Sequence, residues 1–350
     1  VQINGASIGE DTFADVFLND FLPLVRKSRL SPTYFEVLMA FSYWYFARTG
    51  VDVAVIETGL GGLLDGSNVV TRSDKTCVIT DIGYDHTEIL GHSLSEIAQQ
   101  KAGIIQPGNE TFMLQQSKEV TETIRDYANS QKATVTTVSA DEQRYSPDHL
   151  FLFQQRNWSL AANTAQQWLE SHNIVFPDDN KLQQAAHIDI PARIEVLTIG
   201  NKTVVLDGAH NPQKLSALAE SFKEKFGSAP FAMLLSCIKS KQQKLLSNLQ
   251  AVSDLKPAAV VTTYFQSNQD LKKEATDPKQ LAEQLTTMGV ENVQAISDSE
   301  LALKTLLDRP EDLLLITGSL YLIFEIRPLL IAMKTFGEEK SPVDSYAART

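Results

Sequence analysis

Apolar residues follow two alternating rhythms along the chain. Phe13, Val16, Phe17, Phe21 and Leu22 fall at helical spacing and predict a helix over residues 10–28. A second helix is predicted from Pro32 to Thr49, with Ser31 as its N-cap and Gly50 as its stop. Its aromatic residues, Tyr34, Phe35, Phe41, Tyr43, Trp44, Tyr45 and Phe46, read as core rather than as a cofactor site. The run Val51-Asp52-Val53-Ala54-Val55-Ile56-Glu57 is almost continuously apolar, as a parallel strand buried on both faces would be. Thr76 to Thr80 makes a second such run, and a helix is predicted from Ser93 to Ala102, closed by Gly103. The alternation continues to about residue 130 and predicts a sheet covered by helices. Residues 136–155 read as short strands, and 157–172 as a helix with Trp158, Ala161, Ala165 and Leu169 on one face.

Pro177, Asp178, Asp179, Asn180 and Pro191 place a boundary within 174–192. Beyond it the alternation restarts. Strands are predicted at 194–198, 203–206, 231–235, 258–263, 292–295 and 312–316. Helices are predicted at 212–226, 240–251, 277–287, 298–308 and 318–332. The expected organisation is two α/β domains, 1–186 and 187–336, with a polar tail over 337–350.

The chain has 350 residues, 43% of them hydrophobic, enough for two cores. Its net charge of -12 argues against a nucleic-acid partner, which calls for a basic face. A small anionic substrate remains open, because a site needs only a few local cations. Cys77 and Cys237 each lie in an apolar run and make no metal-type spacing. They read as buried free thiols of a reducing compartment, which points to the cytoplasm. No apolar stretch reaches the ~20 residues that a membrane span needs.

Three constellations carry candidate chemistry. In the first, Glu57 ends the apolar run and a glycine-rich turn follows, Gly59-Leu60-Gly61-Gly62. Ligands of open α/β sheets bind beyond the carboxyl ends of strands, and a carboxylate there suits Mg²⁺. A tight turn with Glu57 in a structural pair fits the same residues. In the second, Asp85 and Glu88 flank His86, which gives a metal or phosphate role weight beside a purely structural one. In the third, Lys101 sits in an apolar setting, between Ile97-Ala98 and Ala102-Gly103-Ile104-Ile105, and is expected to be partly buried.

Together with Asp207-Gly208-Ala209-His210-Asn211-Pro212 and Thr317-Gly318-Ser319-Leu320-Tyr321-Leu322, these runs resemble the folylpolyglutamate synthase/dihydrofolate synthase family of Mur ligases. The resemblance is in register over nearly the whole chain. It implies a Mur-ligase-type P-loop ATPase domain followed by a Rossmann-like C-terminal α/β domain. The implied activity is ATP-dependent addition of L-glutamate to folate or dihydropteroate through an acyl phosphate, by a monomer. By resemblance, Glu57 and His86 would be Mg²⁺ ligands and Lys101 a carbamylated lysine. Gln154 and Asn157 would lie near the adenine of ATP, and Arg193 would touch phosphate. Asp207 and His210 would face the nucleotide. From the residues alone, Asp207 to Pro212 is equally a plain strand-to-helix turn.

The chain departs from the family in four places. No Gly-x-x-x-x-Gly-Lys-Ser/Thr loop is present, so the ATPase domain is expected to be truncated, without its first strand, loop and helix. Val1, in place of Met, leads straight into a turn-like Asn4-Gly5, which also predicts a piece of a longer protein. As such a piece, the first domain is expected to be unstable alone. Leu63 stands where the family has Arg. Leu235 to Lys241 replaces a segment carrying Asp-Lys-Asp, with Lys239, Lys241 and Lys244 read as a solvated helix face. Ser267 to Asp270 replaces a Pro-Arg pair. These departures keep open a non-catalytic paralogue that binds folate or nucleotide.

Overall fold

The computed structural model describes residues 1–139, 147, 150–187, 190–266 and 273–338. Ser267 to Asp270, residues 339–350 of the tail and much of 140–149 lie outside the described residues. The chain divides into two compact units. The first is Val1–Glu142 with Asn163–His172, and the second is Gln143–Ala162 with Asn173–Thr350.

The first unit opens with a hairpin of β1 (Gln2–Ile3) and β2 (Ala6–Ser7). The predicted helix over 10–28 is three pieces: α1 (Glu10–Asp15), a π-helical stretch Val16–Phe21, and α2 (Leu22–Ser28). Helix α3 (Tyr34–Thr49) starts two residues later than predicted. Its N-cap is Thr33, not Ser31, because Thr33 and Glu36 satisfy each other's backbone in a capping box. Phe41 is fully buried, with Phe13, Phe17 and Phe21 meeting it edge-on, whereas Tyr34 and Phe35 in the first turn, expected as core, are exposed.

The sheet of this unit is parallel, in the order β3 (Thr76–Ile79), β4 (Glu110–Leu114), β5 (Thr134–Val138). Between the strands lie α4 (Thr87–Leu90), α5 (Leu94–Ala102) and α6 (Lys118–Ser130). Ser93, expected as the first residue of the helix, is instead the N-cap of α5, with Glu96 completing a second capping box.

The expectation of a strand over Val51–Glu57 is corrected. No ladder forms there among the described residues, and Val55 is 92% exposed. An apolar run becomes a strand only beside a partner. Strand β3 is the edge of its sheet and pairs only with β4 among the described residues.

Helix α7 (Leu152–Ser171) is divided between the two units, and residues 152–155, expected as strand, are helical in it. The stretch expected as boundary contains a short helix, α8 (Asp179–Ala186), capped by Asp178.

The second unit follows the predicted alternation closely. Its strands are β6 (Glu195–Ile199), β7 (Lys202–Leu206), β8 (Phe231–Leu235), β9 (Ala259–Thr262), β10 (Val293–Ala295) and β11 (Leu313–Thr317). They form one sheet in the order β10-β9-β8-β11-β7-β6, parallel except for β6. Helices α9 (Pro212–Phe226), α10 (Gln242–Asp254) and α11 (Pro278–Thr287) bury Leu215, Leu249 and Leu281 in one core. Helices α12 (Ser299–Leu307) and α13 (Leu320–Glu338) bury Leu303 and Ile326 in another. All five residues of β8 and of β11 are buried, which explains their unbroken apolar sequence. Each such large side chain contributes ~1.5–3 kcal/mol through burial. Because β11 is inserted between β7 and β8, the loops after these three strands lie side by side at one end of the sheet.

Candidate functional site

The glycine turn of the first unit is built against the end of α5. Gly62 has φ 154°, and a Cβ there would stand 2.9 Å from the carbonyl oxygen of Gln100 and 3.0 Å from that of Lys101. Leu63 N–H donates to the same Gln100 carbonyl at 2.8 Å. Gly103 packs equally closely on Leu63. Only glycine permits these approaches. Asp65 closes the turn by accepting from Leu60 N–H at 2.8 Å and Ser67 N–H at 2.9 Å. Burial pushes the Asp65 carboxyl up, but hydrogen bonds from Ser67, Leu60 and Gly59 outweigh it and leave it below the ordinary value.

Lys101 lies half-buried in the last turn of α5. His86 is exposed in a left-handed conformation at φ 49°, and its backbone N–H donates to Asp85 Oδ1 at 3.1 Å. Glu57 is exposed on the unpaired segment before the glycine turn. Among the described residues, no three His, Cys, Asp or Glu side chains gather into a metal cluster. Mg²⁺ takes one or two protein carboxylates and fills its other positions with water and phosphate oxygens. The open carboxylate of Glu57 fits that demand. His86 offers nitrogen, which Mg²⁺ favours less.

In the second unit, four of the five residues expected there form one hydrogen-bonded group. Asp207 directly follows β7 and is only 6% exposed. Its Oδ1 accepts from Ala209 N–H at 2.8 Å and its Oδ2 from Ile194 N–H at 3.0 Å. Burial pushes its carboxyl up, while these two N–H groups, Arg193 and His210 pull it down; the net shift is upward. Arg193 itself is exposed, flanked by buried Ala192 and Ile194. Gln154 donates from Nε2 to the Arg193 carbonyl at 3.3 Å and accepts from Phe151 N–H at 3.1 Å. Asn157 lies one turn further along α7 and is exposed.

His210 Nδ1 lies 2.7 Å from the Gly208 carbonyl, and its backbone carbonyl accepts from Asn248 Nδ2 at 3.0 Å. Lys214, one turn into α9, brings its Nζ within 3.2 Å of His210 Nε2. The imidazole that satisfies both contacts carries its proton on Nδ1. Asn211 caps α9 by accepting from Lys214 N–H at 2.9 Å, and Pro212 opens the helix. The two motifs recognised in this half of the sequence meet here. Gly318 N–H donates to the Ala209 carbonyl at 3.0 Å, and a Cβ on Gly318 would fall 2.4 Å from the Ser236 carbonyl.

Sequence reasoning missed Lys214, Asn248, Glu195 and Arg327. The first lies one turn after His210 and was open to an i, i+4 reading; the others come together only in the fold. The three lysines expected on a solvated helix face are exposed, but only Lys244 lies within α10, with Lys241 at its N-cap. Lys239 precedes α10 and pairs with Glu274 at 2.8 Å on the surface. Cys77 and Cys237 are buried free thiols, with burial pushing Cys237 up to about 12. No helix among the described residues is long and apolar enough to cross a membrane.

Two family descriptions match in sequence. Residues 31–204 match the Mur ligase middle domain, and residues 192–320 match the Mur ligase glutamate ligase domain. The chain belongs to the Mur ligases, in their folylpolyglutamate synthase/dihydrofolate synthase branch. It is 28% identical to the dihydrofolate synthase/folylpolyglutamate synthase of Bacillus subtilis, over 94% of this chain and 80% of that enzyme. It is 29% identical to the folylpolyglutamate synthase of Lacticaseibacillus casei, over 89% and 74%. The fold matches Mycobacterium tuberculosis folylpolyglutamate synthase, crystallised with ADP and AMPPCP, at a TM-score of 0.76 and 24% identity, covering 94% and 81% of the two chains. Membership makes the chain an ATP-dependent amino-acid ligase.

Proposed function

We propose that this Mur ligase adds L-glutamate to a folate or to dihydropteroate in the cytoplasm, acting as a monomer. The observation that carries the reading is the group Gln154, Arg193, Asp207 and His210 at the sheet end, in a chain matching both Mur ligase domains.

The reaction has two steps. A substrate carboxylate oxygen attacks the γ-phosphorus of ATP, ADP leaves, and an acyl phosphate forms. The glutamate amine then attacks the acyl carbon, the C–O bond to phosphate breaks, and the amine proton is lost as the amide forms. Little covalent work falls to the protein in the first step; charge neutralisation and positioning dominate. Arg193 offers a planar fork of donors to phosphate oxygens. Its backbone is fixed through Ile194 N–H on Asp207 and its own carbonyl on Gln154. Asn157, exposed beyond Gln154 on α7, is assigned to the adenine side. His210 holds the Lys214 ammonium at the start of α9, where the helix dipole also favours an anion. In the first unit Glu57, with His86, would hold Mg²⁺, which supplies charge neutralisation, and Lys101, if carbamylated, would supply oxygen donors.

The exposed, unpaired segment before Glu57 and the Leu63 substitution favour a second reading, a paralogue that binds folate or nucleotide without turnover. One assay separates the two. ADP release is measured with Mg-ATP, glutamate and tetrahydrofolate or dihydropteroate, against a Glu57→Ala control. Release that needs both co-substrates and disappears in the control supports the ligase. Saturable ADP binding without release supports the paralogue.

A further inference from the structure

Arg193 sits at a strained point of the backbone. Ala192 has φ 63° and Ile194 has φ 46°, so a left-handed residue stands on each side of it. For a β-branched residue that conformation is a true outlier, and strain of this kind persists only where the surroundings over-determine it. The outcome is specific. Both neighbours are buried, Ala192 at 0% and Ile194 at 4% exposure, while Arg193 is exposed, its Nη1 donating back to the Ala192 carbonyl at 3.3 Å.

Two carboxylates hold the strained pair. Asp207 accepts from Ile194 N–H, as described. Glu195 Oε2 accepts from Ala192 N–H at 3.1 Å. Glu195 is in turn fixed by Arg327 of α13, whose Nε lies 2.9 and 2.8 Å from its two oxygens and whose Nη2 lies 2.8 Å from Oε1. The Glu195 side chain is only 9% exposed, while that of Arg327 is 32% exposed, so the carboxylate is buried and the guanidinium partly open to water. The Ala192 carbonyl accepts from Gly208 N–H at 3.0 Å, which ties the same residue to the turn after β7. Gly208 also leaves room for the guanidinium: a Cβ there would stand 3.0 Å from Arg193 Nη1.

We propose that the Glu195–Arg327 ion pair is a positioning device for Arg193. It holds Ala192 left-handed and so aims the Arg193 fork at a phosphate of bound nucleotide. This rests on the phosphate-binding reading of Arg193. A surface ion pair contributes little and a buried one is weak evidence for stability, so a role in presentation accounts for its placement better than a stabilising one.

The test uses the whole chain and MgADP as the probe, with calorimetric Kd and Tm measured on each variant. Arg193→Ala, Glu195→Gln and Arg327→Met are each expected to weaken binding about tenfold, equivalent to ~1.4 kcal/mol. Glu195→Gln added to Arg193→Ala is expected to weaken it by less than about twofold more, because both act through the same guanidinium. Arg327→Lys should recover part of the loss. Should Glu195→Gln prove too unstable to measure, Glu195→Asp keeps the charge but withdraws the acceptor from Ala192, and an intermediate loss is expected. A lowered Tm with unchanged Kd in folded Glu195 variants would overturn the positioning role and leave the ligase reading intact. A wild-type chain that binds no MgADP would overturn both.

Discussion

Replacing Asp207 by alanine removes the side-chain acceptor of two backbone donors, Ile194 N–H and Ala209 N–H. Hydrogen bonds to a charged acceptor contribute ~1.5–3 kcal/mol each, which makes about 3–6 kcal/mol for the pair. Against this stands relief from burying the carboxylate, the largest influence on its titration. The expected net loss is about 2–4 kcal/mol for Asp207→Ala. Asp207→Asn keeps one acceptor oxygen and should lose roughly half as much. The pH dependence carries the sign. Burial holds the folded carboxyl above the ordinary 3.8, so the folded state keeps its proton to higher pH than the unfolded one. That contribution to stability is complete below 3.8 and is lost as pH rises through the folded value. Urea unfolding of wild type and both variants between pH 3.5 and 7, taken as about the span of these titrations, measures every term. Equal stabilities for the alanine and asparagine variants, or losses under about 1 kcal/mol, would refute the claim that Asp207 holds the turn through its two acceptors.

Four other outcomes follow from named contacts. Gly62→Ala should lower the stability of the first unit by about 1–3 kcal/mol in urea unfolding, through its backbone conformation and the Gln100 and Lys101 carbonyls. Thr33→Ala removes the cap of α3 and should cost about 1 kcal/mol in the same measurement. Hydrogen bonds from His92 and Ser93 hold Glu96 below the usual carboxylate range, so its stabilising effect is present above the unfolded pKa and lost as pH falls through the folded one. Glu96→Gln should therefore flatten the acid limb of a pH–stability curve. Cys237, buried and pushed up to about 12, should resist iodoacetamide at pH 8 until the chain is unfolded, and fast labelling of the native protein would contradict its placement.

Much of the second unit was legible in the sequence because its strands are short, wholly apolar and punctuated. Helix α9, announced by Asn211 and Pro212, and strand β8, apolar from Phe231 to Leu235, begin and end where the pattern placed them. Those signals are local: a cap, a stop, a period. The Asp-Gly-Ala-His-Asn-Pro turn was equally visible, as was the family that it belongs to. Val51–Glu57 shows the limit. Its composition suits a buried strand, but a strand is a pairing, and pairing depends on what lies alongside. Tertiary structure also decided what the site residues do to one another. Asp207 and Ile194 are far enough apart in sequence that no periodicity joins them, yet one oxygen of the first fixes the backbone of the second. Glu195 and Arg327 are 132 residues apart, and their ion pair exists only because α13 packs beside β6. Sequence by itself determined the elements of the second unit, their order and the chemistry available. Which carboxylate holds a backbone and which cation is turned outward were settled by burial and by the left-handed residues around Arg193, because both depend on contacts that no local pattern encodes.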